Sequence, residues 1–485
     1  MGRVEMPTYR LGWFDNADRL DVAVLVNRLV ACGAHVSRSD ATASGESGDY
    51  LVKGPAALVE ALRARGFVLS EVGDDKGAQP ISPVRAVVLS GKASAYPYYG
   101  YYALALARLG ISYRPVSGGD IAAGALDGEN ILVLPGGFSN WSLDAKEETQ
   151  GADNAVRAFL RNGGAAVVSC GGAYYLAKGR PTWLGLADAR PNITQDYLRT
   201  GVGITTCRIA DGPLRRGLPP TLEIPYFHGP AFDEVGASCR ALGHFRDLVT
   251  AGRLFIDNPL TPETFAAHLQ ERIAILSAEG PRGRAILFSP HPEMGDLLSK
   301  YMLLESYIPH YLPIRGAQVM QETLTAARPD ESRSFLLILN AIEMMAAGAR
   351  AATAAATPPE MSEATAARAK LDTLAQAWRE RSKLLVPSDD GMGDLERFVL
   401  GGLEHRLPVA VERLSPVLDH LAKAGHDGPR LAASFAAIAD DALASWSVPT
   451  KRRPAELLLE LELAVLLIEA WATEGELHNL IEAHV

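Results

Sequence analysis

The stretch AAVVSCGGAYYLA, residues 165–177, carries the pattern from which the fold of this chain is predicted. Its first five residues are small or β-favouring, Cys170 follows with two glycines, and a helix-like segment comes next. The segments RAVVLSG (85–91) and NILVLPGG (130–137) show the same order of apolar strand and glycine, and helical patterns separate the three. Buried strands that alternate with helices form a parallel sheet with helices on both faces. We therefore predict a central α/β domain.

The three predicted strands end in short segments that should meet at one edge of the sheet. These ends are LSGKAS, LPGGFSNW and SCGGAY. Ligand sites of open parallel sheets lie in the crevice outside the carboxyl ends of the strands. The side chains and amides of these ends are therefore the first candidates for a functional site.

Cys170 is the candidate nucleophile of this crevice. A tight strand-to-helix turn projects a side chain out of the sheet, and the positive end of the following helix favours a thiolate. Gly171 and Gly172 suit such a turn because glycine tolerates unusual dihedral angles. An isolated cysteine is more often a buried small apolar residue, so the prediction depends on partners elsewhere in the chain.

Backbone amides at two strand ends are candidates to hold a developing oxyanion. Gly171 comes directly after the cysteine, and Gly137 ends the LPGG segment without side-chain cover. The alternative for LPGG is an ordinary turn.

The segment LFSPHPE, residues 287–293, supplies a candidate base and its orienting acceptor. His291 would take the proton of the thiol, and Glu293 would hold the other ring nitrogen. Prolines at 290 and 292 should keep the segment extended, so that these two side chains project to the same side.

The motifs LPGG, SCGGAYYLA and FSPHPE together resemble the class I glutamine amidotransferase-like superfamily. The resemblance implies a flavodoxin-like parallel sheet with a β-rich insertion. It also implies a triad of Cys170, His291 and Glu293, with Gly137 and Gly171 at the oxyanion-hole positions. CGGAYYLA, YFHGPAF (226–232) and the hairpin into SPHPE are further similar to the family named after the N-terminal domain of biotin–protein ligases.

One departure from the superfamily concerns the substrate. Members that use glutamine follow the elbow with a pattern that ends in Gln, whereas Tyr174 and Tyr175 stand there in this chain. Glutamine is therefore not assigned as the substrate. The candidates for the substrate pocket are Gly136, Phe138, Asn140, Trp141, Tyr174, Tyr226 and His228. Structural roles are equally open for Asn140, Trp141 and His228, and the tyrosines of AYPYYGYY (95–102) either wall the pocket or pack their helix.

Four regions follow one another along the chain. Residues 1–80 have the element order βαββαβ of a ferredoxin-like fold and resemble ACT-type small-ligand modules in that order alone. A structural role and a ligand-sensing role are both open for them. Residues 84–345 form the amidotransferase-like domain, residues 346–366 an Ala-rich linker, and residues 367–485 about five helical stretches that suggest a bundle.

Composition excludes several functional classes. The net charge of −10 disfavours nucleic-acid binding, and no apolar run reaches the roughly 18 residues of a membrane span. Four cysteines in 485 residues do not form a disulfide framework, which favours a reducing cytoplasm. Cys32, Cys207 and Cys239 lack partners at metal-ligand spacing. Neither a phosphate-binding loop nor a dinucleotide fingerprint is present, so no metal or cofactor is predicted.

The sequence leaves two classes of function open. The first is a cysteine-dependent amidase or amidotransferase-like hydrolase that acts on an unidentified small amide or related carbonyl compound. The second is a catalytically inactive binding or regulatory protein that uses the same crevice as a ligand pocket. Amidotransfer with a separate synthetase, or another protein partner at a terminal domain, is compatible with the first class. The oligomeric state is open.

Overall fold

The computed structural model describes residues 6–16, 18–39, 48–73, 77–137, 142–192, 200–249, 259–298, 301, 333–353, 361–385, 392–425, 427–449 and 454–485. The described strands are β1 (Thr8–Leu11), β2 (His35–Arg38), β3 (Tyr50–Lys53), β4 (Leu69–Val72), β5 (Gln79–Pro80), β6 (Arg85–Leu89), β7 (Ser112–Val116), β8 (Ile131–Leu134), β9 (Ala165–Ser169), β10 (Ala189–Pro191), β11 (Val202–Ile209), β12 (Thr221–Phe227), β13 (Phe232–Val235), β14 (Cys239–Leu248), β15 (Ile273–Gly280) and β16 (Gly283–Phe288). The described helices are α1 (Arg19–Ala31), α2 (Ala56–Ala64), α3 (Tyr98–Arg108), α4 (Gly118–Ala122), α5 (Leu143–Glu147), α6 (Ala152–Arg161), α7 (Gly171–Leu176), α8 (Pro262–His268), α9 (Arg333–Ala346), α10 (Met361–Ser382), α11 (Met392–Leu421), α12 (Asp427–Ser447) and α13 (Pro454–Glu482).

The N-terminal unit is an antiparallel sheet with two helices. Its strand order is β4-β1-β3-β2-β5. The first four strands of that order, with α1 after β1 and α2 after β3, have the arrangement predicted from the βαββαβ sequence pattern. Helix α1 begins where the Asp18 carboxylate accepts hydrogen bonds from the amides of Leu20 and Asp21, which satisfies amides that a helix start leaves unpaired.

The central sheet has the strand order β12-β11-β14-β15-β16-β9-β8-β6-β7. The strands from β16 to β7 pair in parallel, and those from β12 to β16 pair antiparallel as the β-rich extension. Ala86 and Val88 face one hydrophobic core, while Val87 and Leu89 face the other. Because both faces are covered, the parallel strands are continuous apolar runs. The predicted fold class is confirmed.

The two faces of the sheet are covered by different parts of the chain. Helices α4, α6 and α7 supply the core on one face. The other face packs against α3 and α9, and the same core continues into the N-terminal unit and the C-terminal helices. For example, the rings of Tyr113 in β7 and Trp471 in α13 meet edge to face at 5.9 Å.

The C-terminal region contains four long helices in its described residues, α10 to α13, rather than the five or so stretches predicted. The segment LERFVLGGLEHRL lies in the first half of α11, which continues through Pro408 and Pro416. Proline usually ends or kinks a helix, and packing between α11 and α13 overrides that tendency here. None of the described helices combines the length and the apolar character of a membrane span.

The Ala-rich linker predicted at 346–366 is ordered at both of its described ends. Helix α10 already begins at Met361, in keeping with the high helix propensity of alanine. After α9, the Arg350 amide donates to the carbonyl of Gly163 at 2.7 Å, and its guanidinium lies over the ring of Phe159. This part of the segment therefore packs on the central domain.

Candidate active site

Cys170 occupies a strained turn between β9 and α7. Its φ of 47° and ψ of −105° are rare for a residue with a side chain, and such conformations cost about 1–3 kcal/mol. Two backbone hydrogen bonds hold it there: its amide donates to the carbonyl of Phe288 at 2.9 Å, and its carbonyl accepts from the amide of Tyr174 at 3.0 Å. The cysteine is therefore at an elbow, as the sequence predicts.

Glycines allow close approach around this elbow. A Cβ on Gly172 would lie 2.4 Å from the carbonyl oxygen of Leu134, so α7 packs directly on the end of β8. Gly137 has a φ of 117°, and a Cβ there would lie 2.8 Å from the carbonyl oxygen of Ala93. The carboxyl ends of β6, β8 and β9 therefore meet, as the alternation of strands and helices predicts.

His291 and Glu293 are paired, but not by an extended segment. Their contact joins His291 Nδ1 to Glu293 Oε1 at 2.8 Å, with both side chains buried. The expectation of an extended backbone is wrong for Glu293, because a 3-10 turn spans Pro292–Met294. Pro292 occupies the first position of that turn, where its fixed φ suits a helical start. The His291 amide donates to the carbonyl of Pro225 at 2.8 Å, which fixes the turn against β12.

The His291 ring lies beside Cys170. A Cβ on Gly136 would be 3.0 Å from His291 Cε1 and 3.6 Å from Cys170 Sγ, so the predicted pocket residue Gly136 adjoins both side chains. His291 Nε2 is buried and has no hydrogen-bond partner in the described part of the chain. Burial lowers the pKa of His291, but the charges of Glu293 and Cys170 outweigh it and raise the pKa to about 10.

A backbone carbonyl competes for the thiol proton. Cys170 Sγ donates to the carbonyl oxygen of Phe227 at 3.1 Å, and the Phe227 ring meets the His291 ring edge to face at 5.6 Å. The Phe227 carbonyl and the His291 ring are therefore alternative acceptors of the thiol hydrogen of Cys170. Tyr226 and His228 could be predicted from the sequence, but Phe227 could not, because its contact is made by a backbone carbonyl that every residue carries.

Glu293 is held on its second oxygen by a pair of hydroxyl groups. Ser169 Oγ donates to Glu293 Oε2 at 2.9 Å, and Ser169 Oγ lies 2.5 Å from the hydroxyl of Tyr102. Ser169 and Tyr102 are fully buried. Burial raises the pKa of Tyr102 and the charge of Glu293 raises it further, so Tyr102 stays protonated and donates to Ser169. Sequence reasoning missed this role of Ser169, although a lone polar residue at the end of the apolar strand β9 was a usable signal.

The predicted pocket residues Tyr174, Tyr226 and His228 lie near Cys170 and are fixed by hydrogen bonds to the backbone. The Tyr174 hydroxyl donates to the carbonyl of His228 at 2.9 Å, and the Tyr226 hydroxyl donates to that of Gly229 at 2.9 Å. His228 Nδ1 accepts from the amide of Gly201 at 3.1 Å. Burial lowers the pKa of His228 and the charge of His291 lowers it further, so His228 is neutral. Tyr174 and Tyr226 are fully buried, and their hydroxyls fix the wall.

The predicted oxyanion donors remain predictions. Within the described part of the chain, the amides of Gly137 and Gly171 donate no hydrogen bond, which keeps them available to a ligand. The pocket candidates Phe138, Asn140 and Trp141 lie outside the described residues.

The other three cysteines are in environments that disfavour a thiolate. Burial raises the pKa of Cys32 and of Cys207 to about 12 in each case, and it also raises the pKa of Cys239. The histidine beside Cys32, His478, has a pKa lowered to about 4 by burial and by Arg28, so it does not favour a thiolate there. Among the described residues, no group of three or more His, Cys, Asp and Glu side chains is arranged to hold a metal ion.

Several solved structures are weakly similar to part of this chain. No protein-family model and no curated protein matches the chain. A glutamine amidotransferase from Thermotoga maritima is 14% identical with a TM-score of 0.35, over 54% of this chain and 98% of that one. A second structure described as a glutamine amidotransferase is 19% identical with a TM-score of 0.31, over 46% of this chain and 98% of that one. An exo-β-1,4-mannosidase from Opitutaceae bacterium strain TAV5 is 12% identical with a TM-score of 0.28, over 46% of this chain and 34% of that one. These identities and TM-scores are too low to carry an activity over to this chain.

Proposed function

We propose that the chain is a cysteine-dependent amidase or amidotransferase-like hydrolase whose nucleophile is Cys170. The observation that carries the proposal is the convergence of a strained cysteine elbow with a buried His291–Glu293 pair at 2.8 Å. A strained residue is maintained only where the surrounding structure holds it. A perturbed histidine beside a cysteine is the arrangement that activates a thiol.

The proposed reaction has two stages, formation of a thioester on Cys170 and its hydrolysis by water. The thiol proton of Cys170 first passes to Nε2 of His291, and Sγ then attacks the carbonyl carbon. The electron pair of the C=O bond moves to the oxygen, which would accept from the amides of Gly137 and Gly171. When the C–N bond breaks, the proton on His291 goes to the leaving nitrogen. His291 then takes a proton from water, the resulting hydroxide cleaves the thioester, and the free carboxylic acid leaves. Glu293 keeps the imidazole oriented throughout.

Selective alkylation tests whether Cys170 is activated. Full-length protein is incubated with iodoacetamide at pH 7, and the modification of each cysteine is followed by peptide mass spectrometry. Because the pKa values of Cys32 and Cys207 are raised to about 12, we expect Cys170 to react at least tenfold faster than either. Cys239 is partly exposed and serves as the internal reference for a more accessible thiol whose pKa burial also raises.

Turnover is tested with simple amides and with L-glutamine by release of ammonia. Cys170→Ala should abolish the release, while Cys239→Ala should leave it unchanged. Hydrolysis that survives Cys170→Ala would refute the mechanism.

The contact between Cys170 and the Phe227 carbonyl favours one alternative, a protein that binds a ligand in the crevice without turnover. A carbonyl 3.1 Å from Sγ stabilises the protonated thiol, which is a poor nucleophile. If Cys170 reacts no faster than Cys239 and no amide is hydrolysed, this alternative is the better description.

Two finer assignments also belong to the proposal. The first is membership of the biotin–protein ligase N-terminal domain family, which CGGAYYLA and YFHGPAF resemble. The second is a substrate other than glutamine, because Tyr174 and Tyr175 stand where glutamine-using members have a pattern that ends in Gln. In the structure, Tyr174 is buried and its hydroxyl donates to the His228 carbonyl. Ammonia release from L-glutamine at a rate comparable with other amides would contradict the second assignment.

A further inference from the structure

We propose that a cavity between the N-terminal unit, the central sheet and the C-terminal helices binds a small molecule with a carboxylate group. The cavity has a volume of about 240 Å³ and is lined by residues that include Arg28, Arg85, Ala352 and Asp427. These four belong to α1, to the start of β6, to the segment after α9 and to the start of α12. The cavity is thus at the junction of every region of the chain, away from Cys170.

Arg85 is the residue that indicates a ligand. Its side chain is 18% exposed, yet its guanidinium donates no hydrogen bond within the described part of the chain, and its buried Nε has no partner. The nearest carboxylate, Glu129, lies 3.9 Å from that Nε. A guanidinium has five N–H donors, and leaving the Nε donor of Arg85 buried without an acceptor is costly.

Other arginines already occupy the neighbouring carboxylates. Glu129 accepts two hydrogen bonds of 2.9 Å from Arg430 and one of 3.2 Å from Arg114. Asp427 accepts from Arg28 on one oxygen and from the Ser112 hydroxyl, at 2.6 Å, on the other. Burial lowers the pKa of Arg85, and the charges of Arg430 and Arg114 lower it further. The charges of Glu129 and Asp427 offset only part of that effect.

A carboxylate fits the missing partner. Its two oxygens match the planar fork of a guanidinium, and its single negative charge would balance the charge of Arg85. The cavity is smaller than the roughly 300–1,000 Å³ of drug-sized sites, which limits the ligand to a few non-hydrogen atoms.

Thermal unfolding of the full-length protein tests the proposal. The unfolding midpoint is measured in sodium acetate, sodium propionate and sodium succinate, with sodium chloride at equal ionic strength as the reference. A saturating carboxylate should raise the midpoint by about 2–4 °C, because it binds the folded state alone. Arg85→Gln should lose this rise. Arg190→Gln, which removes an exposed arginine paired with Glu234, should keep it.

A second variant covers the case in which Arg85→Gln does not fold. Ala352→Leu fills the cavity and leaves Arg85 in place, so it should also lose the carboxylate-dependent rise. In the unmodified protein, a stabilising carboxylate should slow the modification of Arg85 by phenylglyoxal, as read by mass spectrometry.

Three results would overturn the proposal. The first is no midpoint rise above the chloride reference with any of the three carboxylates. The second is a rise that both cavity variants retain. The third is a larger rise with inorganic phosphate than with the carboxylates, since that ligand class would then be wrong.

Discussion

Replacing Ser169 by alanine tests the hydroxyl pair that supports the candidate base. In the folded protein, Ser169 Oγ donates to Glu293 Oε2 at 2.9 Å, and Glu293 Oε1 is 2.8 Å from His291 Nδ1. Ser169→Ala removes one donor and leaves the cysteine, the histidine and the glutamate unchanged. The carboxylate of Glu293 is then free to rotate, and the His291 ring loses part of its orientation.

The expected magnitude follows from the burial of the contact. Ser169 is 0% exposed and Glu293 is 2% exposed, so water has little access to replace the lost donor. Hydrogen bonds to charged groups contribute about 1.5–3 kcal/mol. We therefore expect the free energy of unfolding to fall by about 2 kcal/mol. A loss of about 1.4 kcal/mol in orientation would slow the alkylation of Cys170 about tenfold.

The assay combines urea unfolding with the rate of iodoacetamide alkylation at Cys170 between pH 5 and pH 10. Ser434→Ala is the matched control, because Ser434 is also buried and donates to a backbone carbonyl, that of Tyr113, at 2.6 Å. That control should lower stability without changing the alkylation rate. Tyr102→Phe should have a smaller effect than Ser169→Ala, about 1 kcal/mol on unfolding, because Ser169 still donates to Glu293.

The reasoning is refuted if Ser169→Ala and Ser434→Ala alter the alkylation of Cys170 equally. In that case Ser169 would contribute to folding alone, and Glu293 would not need its second donor.

Three further predictions concern stability. The pKa of His291 is raised from 6.5 to about 10, so the contribution of its charge to the free energy of unfolding is complete below pH 6.5 and is lost as the pH rises to 10. In urea unfolding, the difference in that free energy between the native protein and His291→Gln should therefore shrink from pH 6.5 to pH 10. Gly172→Ala places a Cβ 2.4 Å from the carbonyl oxygen of Leu134 and should lower the free energy of unfolding by about 2–3 kcal/mol. In the same urea titration, Gly401→Ala, at an open position inside α11, should raise that free energy by about 0.5–1 kcal/mol. Arg430→Met leaves the carboxylate of Glu129, which is 2% exposed, without its two-fold hydrogen bond and should cost about 3 kcal/mol, measured as a lower denaturant midpoint at unchanged slope.

Local sequence patterns determined the architecture of the sheet and the positions of the candidate site. The runs RAVVL, ILVL and AAVVS are apolar on every residue because both faces of a parallel strand are covered, so each strand and its end could be predicted from the sequence. Cys170, His291 and Glu293 were found because each follows or ends such a strand. The proline before Glu293 set a turn rather than an extended segment, and the pairing survived because Glu293 still reaches Nδ1 from that turn.

Tertiary structure alone decided which groups surround the cysteine and what covers the sheet. Ser169 and Tyr102 are 67 residues apart, and Cys170 and Phe227 are 57 apart, so their contacts depend on how α3 and β12 pack on the sheet. The contact with Phe227 is made by a backbone carbonyl, which every residue carries and no sequence pattern distinguishes. Arg85 and Asp427 reach one cavity only because α12 packs on β7. Periodicity specifies elements and their buried faces, whereas side-chain partners far apart in the chain are specified by the packing of those faces.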